Sequence, residues 1–204
     1  GTETRTGPAG TFHLDGAPDR ILARAAGYRA TAVAVPDLVK SGGAVRLTPF
    51  TPKALYLTVY GIGSKTLRDG ALRLVKQGSV NALVIDLKGD RGIVPYPSPI
   101  AQATAPASRQ ITTISDLAGL AKSLHASGVY LIARIVTFKD APLAAAHPEW
   151  AIRTTSGAMF HDREGLAWTD PFRPEVQAYN IGLAVEAAKA GFDEVQFDYI
   201  RFPD

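Results

Sequence analysis

The alternation of short apolar runs with amphipathic segments after Lys53 constrains the fold more than any other sequence feature. Four of these runs have the length and composition of buried strands, and they cover residues 54–60, 80–87, 129–138 and 194–200. Apolar strands that alternate with helices are typical of a parallel sheet covered by helices. The sequence therefore predicts an α/β fold for this part of the chain.

Capping patterns predict three helices between these strands. Thr66 with Asp69, and Thr113 with Asp116, have the spacing of a capping box, and Pro174 suits the first turn of a helix. The predicted helices cover residues 66–77, 114–127 and 174–190. Residues 89–110 and 139–172 are predicted to be irregular connections, the second with a short helix near 143–147.

Two α/β architectures fit this order of elements, a doubly wound sheet and a (β/α)₈ barrel. No GxGxxG sequence and no P-loop follows a predicted strand, which weakens a nucleotide-binding fold. Residues two apart in a strand share a face, and polar residues here recur toward the carboxyl ends of the strands, where barrels build their active sites. This pattern favours the barrel, and its members are Thr58, Tyr60, Asp86, Lys88, Arg134, Gln196 and Asp198.

The first fifty residues differ from the rest. Short, partly alternating runs at 11–14, 20–25, 30–35 and 44–47 predict strands, and glycine, proline and aspartate separate them. The sequences around Ala26-Gly27-Tyr28 and Val45-Arg46-Leu47 resemble the second half of a carboxypeptidase-regulatory-like β-sandwich. Two prolines in Thr48-Pro49-Phe50-Thr51-Pro52 predict an extended linker. The predicted domains are a partial β-sandwich-like segment over 1–50 and an α/β domain over 51–204.

Composition excludes several classes of function. The chain has no cysteine, which rules out disulfides and thiolate chemistry. Its 22 basic and 19 acidic residues give a net charge of +3 without any Lys/Arg run, so nucleic acid is not an expected partner. No apolar run could span a bilayer. The four histidines are scattered, and no HExxH or GxSxG motif occurs, so neither a metal nor a cofactor is expected.

Several segments after Lys53 are similar to one family of barrels. The sequences NALVIDLKGDRGIVPYPS, GVYLIARIVTFKD and, most specifically, VQFDYIRFPD resemble the (β/α)₈ family called "putative glycoside hydrolase domain". The resemblance covers residues 53–204 and implies an enzyme that cleaves a polysaccharide or oligosaccharide. A TIM barrel has eight strands and this chain supplies four, so we expect the N-terminal half of a barrel.

The same resemblance has consequences for the whole protein. A chain that starts at Gly1 is expected to be a piece of a longer protein or to have lost a leader, and the expected location is extracellular or in the cell envelope. The alternative function is a non-catalytic carbohydrate-binding or envelope-structural protein built on the same barrel. The two hypotheses differ in whether the complete barrel has two carboxylates close together, as glycoside hydrolysis requires.

Asp198 is the candidate catalytic residue. It closes the fourth predicted strand, three residues before Arg201. In the barrels that the chain resembles, the aspartate of the fourth strand is the nucleophile, which implies that Asp198 stabilises an oxocarbenium-like transition state. A nearby Arg201 would favour the ionised carboxylate. The alternative is a structural Asp–Arg pair, and the general acid is expected outside this chain.

The expected substrate-binding residues follow the second and third strands or lie in long loops. Charges at the end of an apolar strand can bind sugar hydroxyls or form a buried ion pair, and Arg134, in mid-strand, is expected to pair with a strand-end aspartate. Loop aromatics can stack on sugar rings, although packing is the commoner explanation. The predicted set is Asp86, Lys88, Asp90, Arg134, Trp168, Asp170 and Arg201.

Overall fold

A computed structural model describes residues 3–16 and 18–203 of the chain. The chain divides into two compact units, Gly1–Thr51 and Pro52–Asp204. Within the described residues, no helix has the length and apolar character that crossing a membrane requires.

The first unit contains one small antiparallel sheet and a short helix. Strands β1 (Arg20–Ala23) and β2 (Thr31–Ala34) pair with each other, and helix α1 (Val35–Lys40) follows directly. The prediction of strands at 11–14 and 44–47 is wrong, because these runs have no ladder partner and stay irregular. Pro36 and Asp37, which were expected to separate two strands, lie in the first turn of α1, where proline and an acidic side chain are favourable. The resemblance to a β-sandwich stays a prediction.

The second unit is built on a parallel four-stranded sheet with the order β3-β4-β5-β6. The strands are β3 (Ala54–Leu57), β4 (Ala82–Lys88), β5 (Tyr130–Val136) and β6 (Glu194–Asp198). All three ladders are parallel, which confirms the α/β fold predicted from the alternating pattern. β3 is shorter than predicted because the Thr58 hydroxyl accepts the Gly61 amide in a turn that ends the strand.

Five helices connect these strands: α2 (Lys65–Lys76), α3 (Pro99–Thr104), α4 (Leu117–Ala126), α5 (Ala141–Ala146) and α6 (Pro174–Ala190). α6 has the predicted bounds. The proposed capping box at Thr66 is wrong, because the Ser64 side chain caps α2 and Asp69 pairs with Lys65. α3 and α5 lie in the connections predicted to be largely irregular.

Alternate residues of the central strands form the core on one face of the sheet. Leu83, Ile85, Leu131, Ala133 and Ile135 are fully buried there, against α4 and α6, which pack on β5. The opposite face carries polar residues such as Arg134 and Gln196, paired in register between β5 and β6. The sheet therefore has an apolar, helix-covered face and a second face on which polar residues lie toward the carboxyl ends of the strands.

A β-bulge at the end of β4 changes which face its last residue occupies. Asp86 pairs with Arg134, but Lys88 pairs with Ile135, so the register shifts by one residue between them. A one-residue shift moves a side chain to the other face of a sheet. The prediction that Asp86 and Lys88 share a face is therefore wrong, and Lys88 lies on the helix-covered side.

Candidate active site

Arg134 connects two strand-end carboxylates on the polar face of the sheet. Its Nη1 donates to Oδ1 of Asp86 at 2.7 Å, and its Nε donates to Oδ2 of Asp198 at 2.8 Å. The expected pairing of Arg134 with a strand-end aspartate is thus present, and Arg134 pairs with two such aspartates. Asp86, Arg134 and Asp198 come from β4, β5 and β6, three neighbouring strands, so the sheet topology brings them together.

Asp198 is the more accessible of the two carboxylates, with 38% of its side chain exposed. Partial burial opposes its ionisation, but the hydrogen bond from Arg134, the Tyr199 amide at 2.7 Å and the charges of Arg134 and Arg201 lower the pKa of Asp198 below its usual value. Asp198 is therefore an ionised, partly exposed carboxylate at a strand end. Such a group can act as a nucleophile or stabilise a developing positive charge.

Asp86 lies deeper, with 4% of its side chain exposed. Burial raises the pKa of Asp86, although hydrogen bonds from Tyr56 and Arg134 oppose that rise. The Tyr56 hydroxyl donates to Oδ2 of Asp86 at 2.6 Å, and burial next to this carboxylate raises the pKa of Tyr56, so the phenol stays a donor. Asp86 and Tyr56 therefore both accept from Nη1 of Arg134, whereas Nε of the same guanidinium donates to Asp198.

Lys88 does not face this cluster. Its side chain is fully buried, and Nζ donates to Oδ2 of Asp140 at 2.7 Å, Oδ1 of Asn180 at 2.7 Å and the Thr137 carbonyl at 3.1 Å. Lys88 does form a buried ion pair, which was the alternative to sugar binding. Its partner is Asp140, however, and not Asp86 or Asp198. Direct contact of Lys88 with a substrate has no support in this geometry.

The predicted loop residues lie in different environments. Trp168 is 2% exposed and its indole N–H donates to Asp162, so packing explains this ring and a stacking role has no support. Asp170 accepts the Phe172 amide and lies close to Arg173, which shapes the turn into α6. Asp90 is exposed after β4.

Arg201 lies over the rings of Trp168 and Tyr199, at 5.3 Å from each centroid. Its charge contributes to the lowered pKa of Asp198, as expected from the sequence, in addition to the hydrogen bonds from Arg134 and the Tyr199 amide.

Sequence analysis missed two residues of the site. Tyr56 belongs to the same period-two series as Thr58 and Tyr60, so extending that alternation backward could have found it. Tyr199 could not have been found, because it contributes through its left-handed backbone conformation, with φ of 54°, and no sequence pattern predicts that conformation. Within the described ranges, no cluster of His, Asp or Glu could hold a metal ion.

Three glutamates have partners outside the Arg134 cluster. Glu186 accepts the Tyr96 hydroxyl and the Ile100 amide, and Glu164 pairs with Lys139. Glu194 lies at the start of β6 and accepts the Tyr130 hydroxyl, at the opposite end of the strand from Asp198. Of the two carboxylates that Arg134 contacts, Asp198 is therefore the one that is partly exposed.

Comparisons with solved structures find chains of similar fold. A hypothetical protein from Ruminiclostridium thermocellum superposes with a TM-score of 0.67 at 35% identity, over 74% of this chain and 78% of that one. The α-galactosidase of Lactobacillus brevis gives 0.52 at 16% identity, over 72% of this chain and 20% of the enzyme. An α-L-fucosidase of Paenibacillus thiaminolyticus gives 0.51 at 18%, over 74% and 24%.

The two glycosidases share the fold with this chain, which spans about a fifth to a quarter of their length. No curated protein matches the chain by sequence. The family described as "Putative glycosyl hydrolase domain" matches residues 54–204, which include the whole sheet and the Arg134 cluster. Since this match covers most of the chain, the protein belongs to that glycosyl hydrolase domain family.

Proposed function

We propose that the chain carries the first four βα units of a (β/α)₈ glycoside hydrolase barrel, with Asp198 as nucleophile or transition-state stabiliser. One observation carries the proposal: Asp198, held ionised by Arg134, ends the fourth strand of the sheet in a member of a glycosyl hydrolase domain family. Active sites of TIM barrels lie at the carboxyl ends of their strands. The proposed substrate is a polysaccharide or oligosaccharide outside the cell or in its envelope.

Glycoside hydrolysis needs two carboxyl groups with different protonation states. In the retaining form, the Asp198 carboxylate attacks the anomeric carbon while the glycosidic C–O bond breaks. A carboxylic acid donates its proton to the leaving oxygen, and water then hydrolyses the glycosyl ester. Arg134 orients Asp198 and keeps it charged, and Asp86 holds Arg134 in place.

We place the general acid on a strand beyond the fourth. Asp86 is buried and already paired with Arg134 and Tyr56, so it is poorly placed to donate a proton to a leaving group. This same observation favours the second candidate function, a carbohydrate-binding or envelope-structural protein that kept the barrel without catalysis. An Asp or Glu that ends the fifth, sixth or seventh strand supports the enzyme, and the absence of any such carboxylate supports the binding protein.

Asp198→Asn tests the proposal in the protein that contains the complete barrel. Asparagine keeps the size of the side chain and an acceptor for Arg134, but it cannot attack or balance a positive charge. We expect turnover on a panel of glycans to fall by about a thousandfold or more, with binding by calorimetry retained. The matched control is Asp69→Asn, an exposed aspartate on α2 that pairs with Lys65. Near-normal turnover in Asp198→Asn would show that the assignment is wrong.

A further inference from the structure

The peptide bond that follows Asp198 has an orientation that its own residues disfavour. Tyr199 has φ of 54°, and it is the non-glycine residue with positive φ in the described chain. A bulky side chain rarely adopts this conformation, which persists only where surrounding contacts hold it. Rotating the Asp198–Tyr199 peptide by half a turn would return φ of Tyr199 to the ordinary negative range.

All polar groups of this peptide have partners in the observed orientation. Its N–H donates to Oδ1 of Asp198 at 2.7 Å. Its carbonyl accepts two hydrogen bonds from Thr137, one from the amide at 2.8 Å and one from the hydroxyl at 2.6 Å. Half a turn would break all three bonds, so Thr137 opposes the relaxation of Tyr199.

Buried groups on the helix-covered side hold Thr137 in turn. The Thr137 carbonyl accepts from Lys88 Nζ at 3.1 Å and from Asn180 Nδ2 at 3.2 Å. Lys88 and Asn180 are almost completely buried, and Asp140 offsets the lysine charge. The buried cluster Lys88–Asp140–Asn180 therefore anchors the residue that holds the Asp198–Tyr199 peptide.

We propose that Thr137, anchored by Lys88 and Asn180, is a positioning residue that locks the Asp198–Tyr199 peptide and keeps its amide on the Asp198 carboxylate. These contacts of Thr137, Lys88 and Asn180, which we call the lock, are a structural property. Its catalytic consequence rests on the proposed function, because it requires Asp198 to be the reacting carboxylate. Without the lock, the peptide relaxes and Oδ1 of Asp198 loses its amide donor, while the hydrogen bond from Arg134 to Oδ2 remains.

Other charges around Asp198 do not depend on Thr137. Arg134 hydrogen-bonds it from β5, the charge of Arg201 acts on it from the segment after β6, and Asp86 on β4 contacts Arg134. Lys139 faces the Tyr199 ring. A change in the titration of Asp198 on substitution of Thr137 therefore reports the loss of the amide hydrogen bond.

Three variants of the complete protein test the lock. Thr137→Val removes the hydroxyl and keeps the shape, and Thr137→Ser keeps the hydroxyl. Thr113→Val is the matched control, since the Thr113 hydroxyl donates to the Val59 carbonyl at 2.6 Å, in a different part of the unit. The measurement is the pKa of the Asp198 carboxyl, from NMR titration of ¹³C-aspartate-labelled protein assigned with Asp198→Asn.

We expect Thr137→Val to raise the pKa of Asp198 by about half a unit or more, because a hydrogen bond to the charged form is lost. Thr137→Ser and Thr113→Val should leave it unchanged. An unchanged pKa in folded Thr137→Val overturns the proposal. If that variant does not fold, Asn180→Leu weakens the same lock from α6, and it must shift the pKa in the same direction or the proposal fails.

Turnover gives a second result that separates the two proposals. If Asp198 is the nucleophile, Thr137→Val lowers kcat by about tenfold with KM unchanged, and Thr137→Ser restores it. A wild type without glycosidase activity overturns the proposed function, while the pKa measurement still decides the lock. Normal kcat in Thr137→Val, together with an active wild type, overturns the positioning role.

Discussion

Arg134 holds two carboxylates whose surroundings differ. Its planar guanidinium donates to buried Asp86 through one nitrogen and to partly exposed Asp198 through another, which the single ammonium of a lysine could not reproduce with the same geometry. The pKa of Asp86 is raised by burial, and the pKa of Asp198 is lowered by its donors. Unlike environments for neighbouring carboxyl groups are typical of sites where one of them reacts.

The lowered pKa of Asp162 predicts how the free energy of unfolding depends on pH. Burial opposes its ionisation, but donors from Trp168, Leu166 and Glu164, together with the charge of Lys139, lower its pKa to about 2. An aspartate with a lowered pKa stabilises the fold above its unfolded pKa of about 4 and loses that contribution as pH falls through its folded pKa. We expect Asp162→Asn to cost about 1–2 kcal/mol near neutral pH, from the lost charged hydrogen bonds.

Urea unfolding of wild type and Asp162→Asn at several pH values checks this prediction. The difference in free energy of unfolding should be largest above about pH 5 and should shrink between about pH 4 and 2. A difference that stays constant over this range would mean that the carboxylate charge of Asp162 does not stabilise the loop.

At the scale of elements, the bulge at the end of β4 decides what Lys88 does. The register shift directs this lysine to the helix-covered side, where it contacts the cap of α5 through Asp140 and the middle of α6 through Asn180. One buried ammonium therefore joins a strand to two helices. Removing one partner of such a pair leaves an uncompensated buried charge.

We expect Lys88→Met to lower the free energy of unfolding by about 3–5 kcal/mol, because Asp140 is left buried without its cation. The double variant Lys88→Met/Asp140→Asn should recover much of this loss, since no buried charge remains and the asparagine oxygen can still cap α5 at Leu143. Urea unfolding followed by circular dichroism measures both. A double variant as unstable as the single one would mean that the loss comes from packing.

At the scale of the molecule, β3 and β6 are the edges of the four-stranded sheet. Closing a barrel requires strand number, tilt and stagger to match, which four strands do not satisfy. Among the described residues, no further strand pairs with either edge of this sheet. Open edges are able to pair with strands of another chain.

We predict that residues 53–204 alone are marginally stable, aggregated or paired with a second half-barrel, and that they have no glycosidase activity. One carboxylate without an acid partner cannot complete the proton transfers of hydrolysis. Size-exclusion chromatography with light scattering and a glycosidase assay check these two expectations. A stable, active monomer would contradict the proposed half-barrel and the placement of the acid outside this chain.

Local sequence determined most elements of the second unit. The apolar runs and capping residues predict all four strands and α6, because hydrophobic period and helix ends depend on near neighbours in the chain. The positions of Asp86 and Asp198 near strand ends, and of Arg134 within its strand, follow from the same period. The chain's resemblance to a family added the expected chemistry.

Tertiary structure alone decided the partners. The bulge that turns Lys88 away from Asp86, and the contact of Arg134 with both carboxylates, depend on register between strands far apart in sequence. The left-handed Tyr199 is likewise stabilised by Thr137, sixty-one residues before Asp198. A periodic pattern specifies which face a side chain prefers, but only the assembled sheet specifies which side chain it meets there.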